Sequence, residues 1–276
     1  MASRRDIIAR AIGAGFIGLG GRFANAQTAT FEQLLRRVRD DEILREKVRP
    51  LGEGQRELYE YHFTKAIAPR NPPSPVPVSE ATVQLISSFE IGDKIRFKEG
   101  AVWPGGKSGV TIGIGYDLGY VTKRWLNEDW GDRLDQPTMA VLESVCGITG
   151  QKARQALATL SPITIPWTTA DAQFRKYLLP RYVAETLARL PNAKQLRPDC
   201  LGALTSLVYN RGASFMKDGD QYREMRKIRD LMVAGEYRAV PEQIRSMKRI
   251  WRGQGLDGLL VRREMEALLF EKGLAS

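Results

Sequence analysis

The 276-residue chain has few of the side chains on which most metal centres and nucleophile triads depend. It contains one histidine, His62, and two cysteines, Cys146 and Cys200. With a single histidine, we expect neither a Ser–His–Asp triad nor a histidine-rich metal site. The cysteines lie too far apart in sequence for a metal or redox pair. Two interpretations of them stay open: one disulfide in an oxidising compartment, or two small buried hydrophobic residues.

The usual signatures of nucleic-acid binding are also missing. The sequence shows no interleaving of basic and aromatic residues and no zinc or helix-turn-helix pattern, so we expect no nucleic-acid partner. The formal net charge of +10 and a pI near 9.7 nevertheless suit an anionic polymer. Bacterial wall glycan is one such polymer, although charge alone does not select it.

Long hydrophobic runs are absent after the N-terminus. Residues 1–26 combine a basic start at Arg4 and Arg5, a short apolar stretch over Ala9–Leu19 and an Ala-x-Ala ending at 24–26. The stretch is shorter than the roughly 20 residues that span a bilayer. This pattern predicts a cleaved export signal, and its Ser-Arg-Arg start resembles a twin-arginine signal. We therefore expect an exported protein, periplasmic or secreted, with no stable membrane span after signal removal.

Proline divides the remainder of the chain. Residues 27–68 have helical periodicity, with a candidate capping box at Thr30 and Gln33, and predict a helical appendage. Residues 69–78 are proline-rich and predict an extended linker. The main domain is then 79–276. We expect the appendage to pack on this domain, with partner binding and simple spacing as alternatives.

One stretch alternates as a strand does. Val110, Ile112 and Ile114 fall on one side of it, and Thr111, Gly113 and Gly115 on the other; if the strand continues, Asp117 joins the Thr111 side. Glycines leave room for a ligand to approach the backbone closely. The upstream Ala101–Ser108 stretch is not a phosphate-binding loop, because a strand and not a helix follows it.

A carboxylic acid is predicted at the end of the preceding helix. Ser79 is a good N-cap, and Gly92 is a stop signal, for a helix from Glu80 to about Ile91. Glu90 then lies in the last turn. The negative end of the helix dipole and its apolar neighbours favour the neutral acid, which is the form that a general acid needs.

Together, Ile86–Glu90 and Thr111–Asp117 resemble the active-site region of phage-type lysozymes. The resemblance is strongest to the pesticin-like muramidase branch, in which the Asp follows the Thr-Ile-Gly-x-Gly segment. Ala203–Gly212 resembles the central helix of that fold and Gly258–Glu266 its C-terminal helix. The resemblance implies an α+β, mostly α, lysozyme-like fold with a small β-hairpin beside the cleft and a helical C-terminal lobe. One departure is Tyr116, where the common phage enzymes have a histidine.

The same resemblance implies a muramidase that cleaves the β-1,4 bond between N-acetylmuramic acid and N-acetylglucosamine without a cofactor or metal. Glu90 is the expected acid, Asp117 the base and Thr111 the residue that holds the attacking water, in an inverting mechanism. The partner is the peptidoglycan glycan strand, and we expect a monomer. The expected substrate-binding residues are Gly113, Gly115, Tyr116, Asn210 and Trp103.

Several alternatives remain open. Glu99 could replace Glu90 as the acid, and Asp93 could replace Asp117. Trp103 either stacks on a sugar or covers the hairpin, and Asn210 either binds substrate or caps its helix. The chain could also be a non-catalytic wall-binding or scaffold protein of the same fold, or an antibacterial effector that carries the enzyme into a rival.

Overall fold

A computed structural model describes residues 29–46, 53–66, 68–92, 97–160 and 162–276. The predicted export signal at 1–26 and the alternative carboxylate Asp93 lie outside the described residues. Within the described ranges, no helix is both long and apolar enough to cross a membrane.

Helices make up most of the described structure, and a single small antiparallel sheet accompanies them, so the predicted mostly α, α+β class is confirmed. The first half contains α1 (Phe31–Asp40), α2 (Glu42–Glu46), α3 (Glu53–Tyr59), α4 (Glu80–Glu90), β1 (Thr111–Ile112), β2 (Tyr116–Asp117), α5 (Lys123–Trp130) and α6 (Gln136–Glu143). The second half contains α7 (Gly150–Thr159), α8 (Trp167–Gln173), α9 (Leu179–Arg189), α10 (Pro198–Arg211), α11 (Arg223–Ala234), α12 (Val240–Ser246) and α13 (Asp257–Ala275). Short π-helical turns follow α3, at Glu60–Thr64, and α8, at Phe174–Leu178.

Both predicted helix starts are present. The Thr30 hydroxyl accepts from the backbone N–H of Gln33, whose side chain accepts from the N–H of Thr30, so the capping box is complete. The Ser79 hydroxyl accepts from the N–H of Thr82 at the start of α4. These bonds satisfy backbone donors that have no partner inside a helix. Because α4 starts at Glu80, Glu90 is its last residue, as the sequence predicts.

Helix α10 is the centre of the hydrophobic core. Every residue from Cys200 to Arg211 is buried, and α10 packs against α13, α9, α4 and α3. A helix buried on all sides shows no apolar stripe in its sequence, because each face meets another element. Consequently α10 can carry polar groups inward, toward the elements that surround it.

The alternating stretch forms a small β-hairpin, so the strand does not continue from Thr111 to Asp117. Residues 113–115 form a turn, and Gly113 and Gly115 have φ values of +56° and +71°. Glycine adopts this left-handed conformation without the strain other residues would incur. Thr111 then pairs across the hairpin with Asp117, and Ile112 with Tyr116. The predicted proximity of Thr111 and Asp117 therefore holds, but as a cross-strand pair.

The segments before the proline-rich stretch pack on the main body, in the way the sequence analysis expects. Phe31, Leu34 and Val38 of α1 belong to the same hydrophobic cluster as the core of α10. Residues 69–78 form neither helix nor strand. They are held against the protein by Arg70, which pairs with Asp129 at 2.8 Å, and by the Ser74 N–H, which donates to the Pro180 carbonyl at 3.0 Å.

The scarce sulfur and imidazole side chains have structural positions. Cys146 and Cys200 are both free thiols, which resolves the choice between a disulfide and two small hydrophobic residues. His62 is buried, and its two ring nitrogens contact the Ala68 carbonyl at 2.8 Å and Glu185 at 2.7 Å.

Candidate active site

A cavity of about 270 Å³ lies between the end of α4, the hairpin and α10. It brings together residues that are far apart in sequence. Among the predicted site residues, those that line it are Glu90, Trp103, Thr111, Gly113, Gly115, Asp117 and Asn210. Its walls also contain Gln55, Tyr182 and Tyr209, which the sequence analysis does not single out.

Glu90 enters the cavity from the C-terminal end of α4, with 22% of its side chain exposed. Its Oε1 accepts a hydrogen bond from Nη1 of Arg262 in α13 at 3.1 Å. The turn of the hairpin approaches the same carboxyl group closely. A methyl group on Gly115 would lie 3.0 Å from Oε2 of Glu90 and 2.8 Å from the hydroxyl of Tyr209. Glycine at 115 is thus a requirement of the site as well as of the turn.

Asp117 faces the same cavity from β2, opposite Thr111. Its Oδ1 accepts hydrogen bonds from the backbone N–H groups of Gly109, at 2.9 Å, and Gly119, at 2.8 Å. Burial raises the pKa of Asp117 to about 6, although the two N–H donors act to lower it. Asp117 is therefore ionised at neutral pH and has the proton affinity expected of a general base working near that pH.

The backbone of Asp117 has a partner that the sequence analysis misses. The amide of Gln55 donates to the Asp117 carbonyl at 2.9 Å and accepts from the Asp117 N–H at 3.0 Å. Gln55 lies in α3, ahead of the proline-rich stretch and outside the blocks that resemble lysozymes. A lone glutamine in a charged helix carries no local signal of such a role.

Asn210 and Trp103 both line the cavity with one polar atom already engaged. The Asn210 side-chain oxygen accepts from Arg263 at 3.1 Å, and Gly212, not Asn210, is the C-terminal cap of α10. Trp103 is half-buried, and its indole N–H donates to the Ser108 carbonyl at 3.0 Å. Trp103 therefore forms part of the cavity wall, where its ring could meet a sugar.

Tyr116 is a correction to the predicted substrate-binding set. Its register opposite Ile112 turns the side chain away from the Thr111–Asp117 face, and only 1% of the residue is exposed. The ring packs edge-on against Trp130, and the hydroxyl donates to Asp129 at 2.9 Å. Strand alternation alone, with Tyr116 adjacent to Asp117, indicates this orientation.

The alternative acid Glu99 does not enter the described site. Glu99 is exposed and does not line the cavity, and its backbone carbonyl accepts from the N–H of Ile165 at 2.7 Å. Asp93 lies outside the described residues. Within the part of the chain that the structure describes, no group of three or more His, Cys, Asp or Glu side chains is arranged to hold a metal ion.

A buried charge network lies behind Glu90. The side chains of Arg262, Arg263 and Glu266 are fully buried. The Ser206 hydroxyl donates to Glu266 at 2.8 Å, and Arg263 contacts Glu266 at 2.8 Å. Burial lowers the pKa of Arg263 to about 10, with Arg262 adding to that effect and Glu266 opposing it. Glu266 thus supplies a buried carboxyl group that contacts both arginines in a low-dielectric interior.

Comparison with known proteins adds no family assignment. No protein-family model matches the chain, and no curated protein sequence is significantly similar to it.

Proposed function

We propose that this chain is a peptidoglycan hydrolase with a lysozyme-like fold, cleaving the β-1,4 bond between N-acetylmuramic acid and N-acetylglucosamine. The observation that carries the proposal is one cavity lined by a helix-terminal Glu90 and by Asp117 paired with Thr111. Most glycoside hydrolases use a pair of carboxyl groups that flank the bond they cleave. The sequence resemblance supplies the substrate class.

The proposed reaction is a single displacement. Glu90 transfers a proton to the glycosidic oxygen as the bond from that oxygen to the anomeric carbon breaks. A water molecule held by the Thr111 hydroxyl attacks the anomeric carbon from the opposite face, and Asp117 accepts the water proton. The configuration at that carbon is inverted, as direct attack by water requires.

Arg262 is the side chain that contacts the proposed acid. Its guanidinium donates to Oε1 of Glu90 at 3.1 Å, at the C-terminal end of α4. Such a cation stabilises the negative charge that develops on Glu90 as its proton leaves.

The test is digestion of purified peptidoglycan by the wild-type chain and by Glu90→Gln. Products are reduced with sodium borohydride and identified by mass spectrometry. We expect reducible muramic-acid ends from the wild type and at least about 100-fold fewer from the variant. Equal yields from both would show that Glu90 is not the acid. Binding to sacculi without products from either would replace the enzyme with a wall-binding protein.

The place of action is also part of the proposal. The basic, briefly apolar N-terminus supports export, so the substrate is reached outside the cytoplasm. Fractionation of the producing cells distinguishes a resident wall enzyme, found in the periplasm or medium, from an effector found inside rival cells.

A further inference from the structure

Gln55 completes an edge of the hairpin that no strand among the described residues covers. The N–H and C=O of Thr111 pair with Val102, on the side away from β2. Since neighbouring positions of an antiparallel ladder alternate, Thr111 and Asp117 form a pair without mutual backbone bonds. The N–H of Asp117 therefore points away from β1, toward Gln55. The amide of Gln55 offers one donor and one acceptor, as a neighbouring strand would.

The helix that carries Gln55 is docked by contacts that do not involve Gln55. A methyl group on Gly54 would lie 2.1 Å from the Tyr209 carbonyl oxygen, so α3 meets the backbone of α10 directly. Three residues later in α3, Glu57 accepts a hydrogen bond from the Ser214 hydroxyl and pairs with Lys217 at 3.4 Å. His62 fixes the following π-helical turn to Glu185 of α9. Gln55 thus lies on a helix whose position is set by contacts of its neighbouring residues.

We propose that Gln55 is a positioning residue for Asp117, and that residues 53–64 are part of the catalytic unit. This inference rests on the function proposed above. Gln55 holds the backbone of β2 in the place where the N–H groups of Gly109 and Gly119 converge on Oδ1 of Asp117. Because a small displacement of a catalytic group can cost up to about 100-fold in rate, an amide that acts only on the backbone still affects the chemistry.

The test compares two substitutions of Gln55 with a control on the same docked helix. Gln55→Met keeps the length of the side chain and removes both hydrogen bonds, and Gln55→Glu keeps an acceptor but places a negative charge beside Asp117. Ser214→Ala is the control, because it weakens the docking of α3 through Glu57 without touching the hairpin. Three quantities are measured in the full chain: kcat and KM on soluble peptidoglycan fragments from pH 4 to 8, the melting temperature, and the NMR titration of the Asp117 carboxyl carbon.

We expect Gln55→Met to lower kcat about tenfold, with little change in KM and an upward shift of the Asp117 titration, because the two N–H groups hold the carboxylate less well. Gln55→Glu should raise that titration further through charge repulsion. Ser214→Ala should lower the melting temperature while kcat and the titration stay near wild type. Wild-type kcat and titration in Gln55→Met would overturn the proposal, as would equal effects in Ser214→Ala.

The titration separates this inference from the proposed function. If the wild type releases no muropeptides, the enzyme assignment fails, but the Asp117 titration still reports on its backbone partner. An unchanged titration in Gln55→Met then overturns the positioning role, and a raised one supports it.

Discussion

Asp117 is the residue at which stability and the proposed chemistry oppose each other. Only 7% of the Asp117 residue is exposed, and burial raises the pKa of its carboxyl group from 3.8 to about 6. In the unfolded chain it ionises near pH 4. Between those values folding binds a proton, so the free energy of unfolding falls as the pH rises from about 4 to 6 and stays lower above it. Ionised Asp117 thus reduces stability at neutral pH.

We predict that Asp117→Asn is inactive yet more stable at pH 7. The amide oxygen can still accept from Gly109 and Gly119, and no charge is buried. The gain should be on the order of 2–3 kcal/mol at pH 7 and should vanish below pH 4. Thermal melts at both pH values check this. A gain that persists at pH 4 would show that the stabilisation has another origin.

The pH dependence of the wild-type activity should follow the ionisation of Asp117. A base must be ionised to accept a proton, so we predict that kcat/KM rises with pH through a midpoint near 6. The rate of muropeptide release between pH 4 and 8 measures that limb. An acidic limb centred near pH 4 would indicate a carboxylate in water instead of the buried Asp117.

A substitution at Gly115 tests whether the close contact between the hairpin turn and Glu90 is needed for activity. Gly115→Ala adds a methyl group against Glu90 and Tyr209, whereas Gly106→Ala adds one in open space at a similar positive φ of +57°. Both variants should lose about 1 kcal/mol of stability from backbone strain. We predict that only Gly115→Ala also loses activity, by tenfold or more. Equal activity in the two variants would mean that Glu90 tolerates displacement.

At this scale, local chemistry predicted part of the site. Glu90 is identifiable from its helix end, and Asp117 from its register with Thr111. Gln55 is not, because its role depends on how α3 packs across α10, which nothing near residue 55 encodes. The assignment of Tyr116 to the substrate failed because the resemblance placed it at the cleft, while strand alternation turns it into the core.

At the scale of elements, capping residues were the most informative signals. Thr30 and Ser79 each mark a helix start correctly, because the bond that each makes is local. Alternation alone does not locate the turn of the hairpin, because Gly113 and Gly115 preserve strict alternation while forming that turn.

The π-helical turn after α3 is fixed by a pair that should respond to pH. The Ala68 carbonyl can only accept, so Nδ1 of His62 donates to it, while Nε2 faces Glu185. Burial lowers the pKa of His62, but the Glu185 carboxylate and the Ala68 carbonyl outweigh burial, and the net pKa is raised. The contribution of this pair is therefore fully present below pH 6.5 and is lost as the pH rises through the folded-state value.

We predict that His62→Gln costs about 3 kcal/mol at pH 6, because Glu185 loses its buried cationic partner. The cost should shrink as the pH rises and the wild-type imidazole deprotonates. Urea unfolding of both proteins from pH 6 to 9.5 measures the difference. Parallel curves across that range would show that the histidine acts without its charge.

At the scale of the whole molecule, one hydrophobic core contains residues from both sides of the proline-rich segment 69–78, where the sequence predicts a domain boundary. The composition of residues 69–78 predicts a linker, and that segment is indeed irregular. Yet the apolar stripe of α1 joins the same cluster as α10 and α13. The proline content of a segment predicts the conformation of its own backbone. It does not predict whether the helices on either side of that segment pack together. The organisation of the core was therefore beyond local inference.

The Arg262–Glu90 contact also bears on the order in which the site is assembled during synthesis. The two residues are 172 positions apart, and the arginine lies in α13. Because synthesis proceeds from the N-terminus, translation delivers Glu90 well before Arg262. A nascent chain that has not yet reached α13 therefore holds Glu90 without the guanidinium that contacts it in the folded protein.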